Sequence, residues 1–534
     1  MSRLLIIGAF LLALPVVSVL GAWFGLDAAG VQALRHLWQT VLPAYALNSL
    51  VLAVAVGVGV ALVGGATAVL VTLFDFPLRR TFEWALLLPL AMPAYVLAYA
   101  TTDALQFSGP LQTALRAATG ARGALWPDVR SRWGAILLFI FCLYPYVYLL
   151  TRAALVERGV HLMEAARLLG AGTSRRVREV ALPLARPAIA AGVALALMET
   201  LADYGVGSYF GLQTFTTGIY KAWLVMNDAD AAAQLASVLL LVVSALLWLE
   251  RRARKRLRFA TSAGAAAPVS SEARPLRLTG TRAVLAFAAC ATPVLLGFVL
   301  PVLVLLRLLL EELDSAEVQV PLARFAQCAA VSLQLAVCAA LLAALLAGAL
   351  SFALRTRPSR TLNWAVRTVS LGYAVPGAVI AVGVLIPLAW LQQRFAPWGV
   401  SALVTGTLFG VLYAYQVRFS AVALQSLEAG YARIPASVDE TARMLGASRW
   451  RVLRQLHAPL LRRATLAALL LVFVDVMKEL PATLLLRPFN SDTLAVVAYQ
   501  LARDERLGEA ALPSLAIVLV GLVPVLLLSR AMRR

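Results

Sequence analysis

Four carboxylates stand in otherwise apolar stretches of the chain. Glu199 and Asp203 are four residues apart, and Asp475 and Glu479 repeat that spacing 276 residues later. Such a separation is close to one helical turn, so each pair is expected to share a helix face. An ionised group inside a spanning segment is costly, so it faces a partner or a wet path rather than lipid. Carboxylate oxygens are hard donors suited to a highly charged cation, and the phenol of Tyr204 could add another. A structural role is the alternative: Lys478 can pair with Asp475 or Glu479, and the acids can hydrogen-bond between helices or sit at the outer membrane boundary. Passage along such a path needs weak, transient contact, so no stable metal site is expected.

The elements that must hold these residues are membrane helices. The chain of 534 residues is 61% hydrophobic and 14% charged, a balance that excludes an ordinary soluble protein. Twelve apolar runs centre near residues 14, 60, 95, 143, 198, 240, 296, 340, 376, 411, 473 and 521. Each is long enough to cross a hydrocarbon core of roughly 30 Å. The fold class is therefore an all-α polytopic membrane protein with about 12 transmembrane helices. The first run, Leu4 to Phe24, lacks a small-x-small cleavage site and is needed for the parity of the spans, so it counts as a membrane helix.

The net charge of +20 is not a nucleic-acid footprint. Arginines cluster at alternate ends of the apolar runs: Arg79 and Arg80, Arg152 through Arg186, Arg251 through Arg258, Arg355 through Arg360, Arg433 through Arg463, and Arg530 through Arg534. This positive-inside pattern places both termini and the loops carrying Glu164 and Glu440 in the cytoplasm. The acidic group Glu311, Glu312, Asp314 and Glu317 falls on the other side. Cys142, Cys290, Cys328 and Cys338 lie in apolar sequence without CxxC spacing, and His36, His161 and His457 are scattered, so neither residue type indicates a metal or redox site.

The chain is a duplication. Ser49-Leu50 matches Ser332-Leu333, and Pro93 matches Pro376, both at an offset of 283; Leu143-Tyr144 matches Leu412-Tyr413 at 269. The first repeat occupies residues 1–250, and a basic, then Ala/Ser/Pro-rich cytoplasmic linker occupies 251–281. The second repeat occupies 282–534. Each repeat has six spans and enters from the cytoplasm, so the two are parallel and the four carboxylates could converge on the axis between them.

A polar loop recurs in each repeat, within 152–186 and 425–463. It reads Glu164-Ala165-Ala166-Arg167-Leu168-Leu169-Gly170 and Glu440-Thr441-Ala442-Arg443-Met444-Leu445-Gly446, with Pro183 and Pro459 each nineteen residues after the Glu. Ser437 with Glu440 predicts a capping box, Gly446 a left-handed stop, and Ser448 the cap of a second helix running from Arg449 to His457 and ending before Pro459. In the first copy, His161 and Gly172 replace the two capping serines. Leu168, Leu169, Met444 and Leu445 are candidate apolar anchors, and fixed spacing between loops of drifting length favours docking on a partner over packing on the bundle.

These residues carry a resemblance. The Glu-Ala-Ala-x-x-x-Gly pattern closed by Leu-Pro resembles the EAA loop of bacterial ATP-binding-cassette importer permeases, and it does so in both halves. The resemblance implies the type I importer permease fold in the bacterial inner membrane. It also implies coupling helices that insert into grooves of two ATPase subunits, with Glu164, Ala165, Gly170, Glu440, Ala442 and Gly446 as the coupling residues. Glu199 to Gly205, Ser208 to Gly211, Thr216 to Tyr220 and Lys478 to Phe489 look like fused two-domain ferric-iron permeases. On that likeness Glu199, Asp203, Tyr204, Asp475 and Glu479 line the translocation path. Permeases for thiamine, polyamines or another small ion share the architecture.

The sequence contains no GxxxxGK[ST] phosphate loop, so ATP and Mg would be held by the partner ATPase and the chain is not itself an enzyme. The resemblance further implies a periplasmic substrate-binding protein on the outer face. A secondary transporter can also have twelve helices in two halves, but it has no need of paired coupling helices.

Overall fold

The computed structural model describes residues 2–21, 23–24, 28–156, 165–262, 275–314, 322–394 and 407–532. Eight helices among them are long and apolar enough to cross a membrane: Leu4–Gly21, Leu42–Leu73, Arg132–Ala154, Thr173–Ala202, Ala229–Arg252, Thr281–Asp314, Leu322–Thr356 and Leu507–Leu527. Two bent helix pairs pass the same test when taken together, Arg79–Ala91 with Ala94–Thr119 at 97° and Arg360–Ala374 with Gly377–Gln392 at 118°, and counting each as one span gives ten. The breaks fall at the matched Pro93 and Pro376. In each, the preceding residue is extended, Met92 at ψ 116° and Val375 at ψ 123°, because proline excludes its neighbour from the helical region.

The runs centred near 411 and 473 are the helices Phe409–Tyr431 and Ala458–Met477, which are less apolar than the rest. Gln416, Arg418 and Glu428 interrupt the first, and Arg462, Arg463 and Asp475 the second.

Chain packing divides the protein into two compact units that cut across the sequence repeats. One comprises Met1–Gln39, Gly218–Leu240 and Pro321–Val497. Its centre is Leu322–Thr356 against Phe409–Tyr431 and Ala458–Met477. Ser332, Ala336, Ala339, Ala340, Ala343 and Ala347 form a buried seam along the first of these, small residues that let helices approach where lipid gives no hydrophobic drive. The N-terminal helix Ser2–Gly21 lies on Gly377–Arg394, with Ser18 Oγ donating to the Gly383 carbonyl at 2.6 Å.

The other unit comprises Thr40–Thr217, Leu241–Val320 and Ala498–Arg534. Leu42–Leu73, Arg132–Ala154 and Leu182–Ala202 form its centre, the counterpart of the triple above. Leu47, Leu50, Val54, Val58 and Leu62 line the exposed face of the first of these at helical spacing, while Ser49, Leu52, Val56 and Val60 are buried behind them. The Leu300–Asp314 segment, first helix of the second repeat, packs here on Ala94–Leu105 and Leu507–Met532, and Arg307 Nη2 pairs with Asp103 Oδ2 at 2.6 Å. Each unit thus takes its opening helix from the other sequence repeat.

The expected linker falls within the described residues at 251–262 and 275–281. Residues 251–262 extend the Ala229–Ser262 helix. Leu276–Arg277 pairs in parallel with Phe74–Asp75, and Leu278 N donates to Asp75 O at 2.9 Å.

Candidate functional site

The second polar loop follows Phe409–Tyr431. Pro435, at φ −58° and ψ 147°, is the N-cap of the Ala436–Met444 helix. The expected capping box is not formed: Ser437 lies inside the helix, where its carbonyl accepts from Thr441 Oγ1 at 2.8 Å. Pro435 takes the N-cap instead, so the helix begins at Ala436 and Ser437 falls in its first turn.

The helix ends as expected. Gly446, at φ +74°, donates its N–H to Arg443 O at 3.0 Å, and Ala447 N donates to Ala442 O at 3.0 Å. The first copy closes identically: Gly170, at φ +78°, donates to Arg167 O at 3.0 Å, and Ala171 N to Ala166 O at 2.9 Å. This paired 5→2 and 6→1 closure needs a left-handed residue, which is why both copies place glycine there. Ala165 and Glu440 are exposed and Ala442 is half-buried. Glu164 and His161 lie outside the described residues.

The turn carries the apolar tips outward. Leu168 and Met444 are each 89% exposed, Leu169 87% and Leu445 81%. Large apolar side chains held in water at the same place in both repeats have the character of a partner-binding tip.

Ser448 caps the following helix, its Oγ accepting from Arg451 N at 3.3 Å. That helix does not stop before Pro459, nor its counterpart before Pro183. Wide turns with i→i+5 bonding, Val177–Ala181 and Val452–His457, lead directly into Leu182–Ala202 and Ala458–Met477. A wide turn shifts the hydrogen-bond register just ahead of the proline, where its ring would meet a carbonyl and its missing N–H would leave a gap. Each polar-loop segment is therefore continuous with the long helix that follows it.

Sequence reasoning gave no weight to His457, yet it is fully buried beside this helix. Its Nε2 donates to Asp439 Oδ1 at 2.6 Å, its Nδ1 faces the Tyr431 hydroxyl at 3.3 Å, and Arg355 Nε donates to Asp439 Oδ2 at 2.6 Å. Burial alone would raise the Asp439 carboxyl, but the bonds and charges of Arg355 and His457 outweigh it and hold the group below the usual carboxylate range. The available signal was an aspartate beside the repeated Glu440, on a helix otherwise facing water.

The membrane carboxylates differ from the expectation of shared helix faces. Leu182–Ala202 ends before Asp203, which is extended at ψ 132° and accepts from Val206 N at 2.8 Å on Oδ1. Its carbonyl accepts from Thr216 Oγ1 at 2.7 Å. Glu199 stays within the helix and is half-buried. Tyr204 is buried, its hydroxyl accepts from Ser208 Oγ at 3.4 Å, and its ring centre lies 5.8 Å from that of Tyr499.

In the other unit Ala458–Met477 likewise ends before Glu479. Lys478 Nζ pairs with Asp475 Oδ1 at 3.0 Å, one of the two partnerships the sequence left open. Glu479 instead accepts from Arg418 Nη1 at 3.1 Å and Ala482 N at 3.0 Å on Oε1, and from Thr483 N at 3.1 Å and Thr483 Oγ1 at 2.7 Å on Oε2. Tyr415 OH and Thr483 Oγ1 are 2.6 Å apart. Gly377, first residue after the broken span's proline, lies against this pair: a Cβ there would be 2.7 Å from Glu479 Oε1 and 3.0 Å from Arg418 Nη1. Arg418, a lone charge in an apolar run, was the unused clue. In both repeats the acid following the span caps the next short helix, Gly205–Tyr209 or Pro481–Leu486.

Comparison with known proteins agrees with this duplicated architecture. The family described as binding-protein-dependent transport system inner membrane component matches residues 57–259 and again 337–534. The chain is 26% identical to the Fe(3+)-transport system permease protein FbpB 2 of Haemophilus influenzae over 491 residues, covering 90% of this chain and 89% of that protein. It is 31% identical to the putative 2-aminoethylphosphonate transport system permease protein PhnV of Salmonella typhimurium over 205 residues, 38% of this chain and 73% of the relative. It is 28% identical to the molybdenum transport system permease protein ModB of Escherichia coli over 229 residues, 41% of this chain and 96% of the relative.

Proposed function

Because the chain belongs to the binding-protein-dependent transport system inner membrane component family, we propose that it is the permease of an ATP-driven importer carrying ferric iron from periplasm to cytoplasm. The observation that carries the cargo is reach. The Fe(3+)-transport relative aligns along 90% of the chain, spanning both fused repeats, whereas the phosphonate and molybdenum relatives align with 38% and 41% of it.

In this reading both termini and both coupling loops face the cytoplasm. The exposed tips at Leu168, Leu169, Met444 and Leu445 insert into grooves on two ATPase subunits, which hold ATP and Mg and carry out hydrolysis. A periplasmic binding protein delivers the cargo at the outer face. Each tip is joined to a span without a break, so drawing the ATPases together tilts the helices Thr173–Ala202 and Ala458–Met477. ATP drives transport because it favours one orientation over the other by differential binding, not because it binds tightly.

Glu199, Asp203 and Asp475 are half-buried and offer oxygens to a passing hard cation, and Tyr204, next in sequence to Asp203, has its phenol on Ser208. Glu479, with its lone pairs directed at Arg418, Ala482 and Thr483, shapes the path by fixing the backbone after the span.

The test is uptake of radiolabelled ferric iron by cells lacking this gene and every other iron importer, with and without the restored wild-type chain. Restored uptake that resists excess molybdate, 2-aminoethylphosphonate, thiamine and polyamine supports the proposal. Restored uptake of one of those compounds, without iron, overturns the cargo and leaves the permease. Uptake that survives ATP depletion while the ion gradient persists overturns the ATP-driven reading.

A further inference from the structure

The second coupling helix is held to its bundle by a buried ion-pair and hydrogen-bond cluster. Around it, three spans converge on one carboxylate. Arg355, at the end of Leu322–Thr356, donates through Nε to Asp439 and through Nη2 to the carbonyls of Ile434 at 2.9 Å and Pro435 at 3.0 Å. These are the carbonyls that lead into the Ala436–Met444 helix. His457, at the entry to Ala458–Met477, closes on the other carboxylate oxygen. Its ring is packed edge-on by Phe352 at 5.8 Å and by Tyr431, the last residue of Phe409–Tyr431, at 5.2 Å.

In the first repeat, the offsets of 283 and 276 that relate the halves replace Arg355 by Thr72, Phe352 by Val69, Tyr431 by Leu155 and His457 by Ala181. Val69, Leu155 and Ala181 form a buried apolar cluster with Leu73 and Ala185. Met163 stands in sequence where the second repeat has Asp439. Charge-assisted hydrogen bonds fix both distance and direction, whereas apolar contact lets a short helix slide and rock.

We infer that Arg355, Asp439 and His457 form a latch that makes the second coupling helix a rigid lever on its spans, where the described positions Val69, Leu155 and Ala181 of the first repeat supply an apolar cluster instead. The inference rests on the reading that these loops dock the ATPase. The three are positioning residues: none is at the exposed tip, and none belongs to the expected cargo path.

The test uses the full-length chain purified in detergent and, separately, the assembled transporter in proteoliposomes. His457→Phe keeps the ring packing without the donor, Asp439→Asn removes the charge at constant shape, and His457→Gln keeps a donor toward Asp439. Amide exchange across residues 436–447 should accelerate at least about tenfold in the Phe and Asn variants, stay near wild type in the Gln variant, and not change across 165–171. ATP hydrolysed per cargo ion should rise about fivefold or more in the same two variants. Unchanged exchange in both overturns the latch, and faster exchange with an unchanged ATP-to-cargo ratio overturns its coupling role. Failure of the wild-type chain to recruit an ATPase would instead refute the docking reading, and the exchange measurement would still decide the latch.

Discussion

Replacing Glu479 by Gln is the sharpest probe of the membrane carboxylates. The side chain is buried and meets only donors: Arg418 Nη1 and Ala482 N on one oxygen, Thr483 N and Oγ1 on the other. An amide in its place turns an NH2 toward two donors whichever way it flips, and it leaves the guanidinium without its counter-charge. Breaking a buried ion pair by removing one partner costs roughly 3–5 kcal/mol. The lost helix-cap bonds overlap with that figure, so we expect about 4 kcal/mol in all. A body of about 150–250 residues loses roughly 2–4 °C in Tm per kcal/mol, giving a fall of roughly 8–16 °C. Thermal denaturation in detergent, followed by tryptophan fluorescence and by the monomer peak on size exclusion, reads this directly. Arg418→Met should cost a similar amount, and the double variant should recover at least about 2 kcal/mol of the summed loss, since each single change strands the other partner. A Glu479→Gln protein melting within about 2 °C of wild type, with no coupling in the cycle, would refute the argument.

Other expectations follow from the coupling segments. Serine at Met444 and Leu445, or at Leu168 and Leu169, should leave the stability within about 0.5 kcal/mol of wild type, because these side chains face water. The same changes should cut ATPase co-purification by about tenfold or more, and undiminished co-purification would remove the tips from the docking surface. Gly446→Ala should cost about 1 kcal/mol through backbone strain alone, since φ is +74° and a Cβ there meets nothing within 4 Å; a thermal melt reads the loss, and a neutral substitution would contradict the left-handed closure. Asp439 has a lowered folded-state pKa, so its stabilisation is complete above the unfolded carboxyl value of about 3.9 and is lost as pH falls through the folded value. The stability gap between wild type and Asp439→Asn should therefore hold from neutral pH to about pH 4 and close below it; a gap independent of pH would exclude the charge as its source.

Much of this architecture was legible in the sequence because lipid enforces it. Apolar runs must be helices, and the matched prolines at 93 and 376 fall where the bent helix pairs break. The left-handed glycines were readable because few other residues accept that conformation. What resisted reading depends on tertiary neighbours. Ser437 looked like a cap, but Pro435 takes that place. Pro183 and Pro459 looked like stops, but wide turns ahead of them absorb the mismatch. Glu479 resembled a member of a helical pair, and only its proximity to Arg418, sixty-one residues away, reveals a cap joined to an ion pair. His457 was one of three scattered histidines until the fold brought it to Asp439. The exchange of opening helices between the repeats leaves no local trace in sequence, because a lipid-facing helix carries the same pattern whichever bundle it joins.

The central claim is that this chain imports ferric iron by force delivered through its two repeated loops. Its most direct test is radiolabelled ferric-iron uptake in importer-deficient cells restored with wild type or with Glu164→Ala and Glu440→Ala together, membrane levels of the two proteins being matched. The account predicts uptake with wild type and background uptake with the double variant. Equal uptake from both would contradict the coupling role of the loops, and no uptake from either would contradict iron as the cargo.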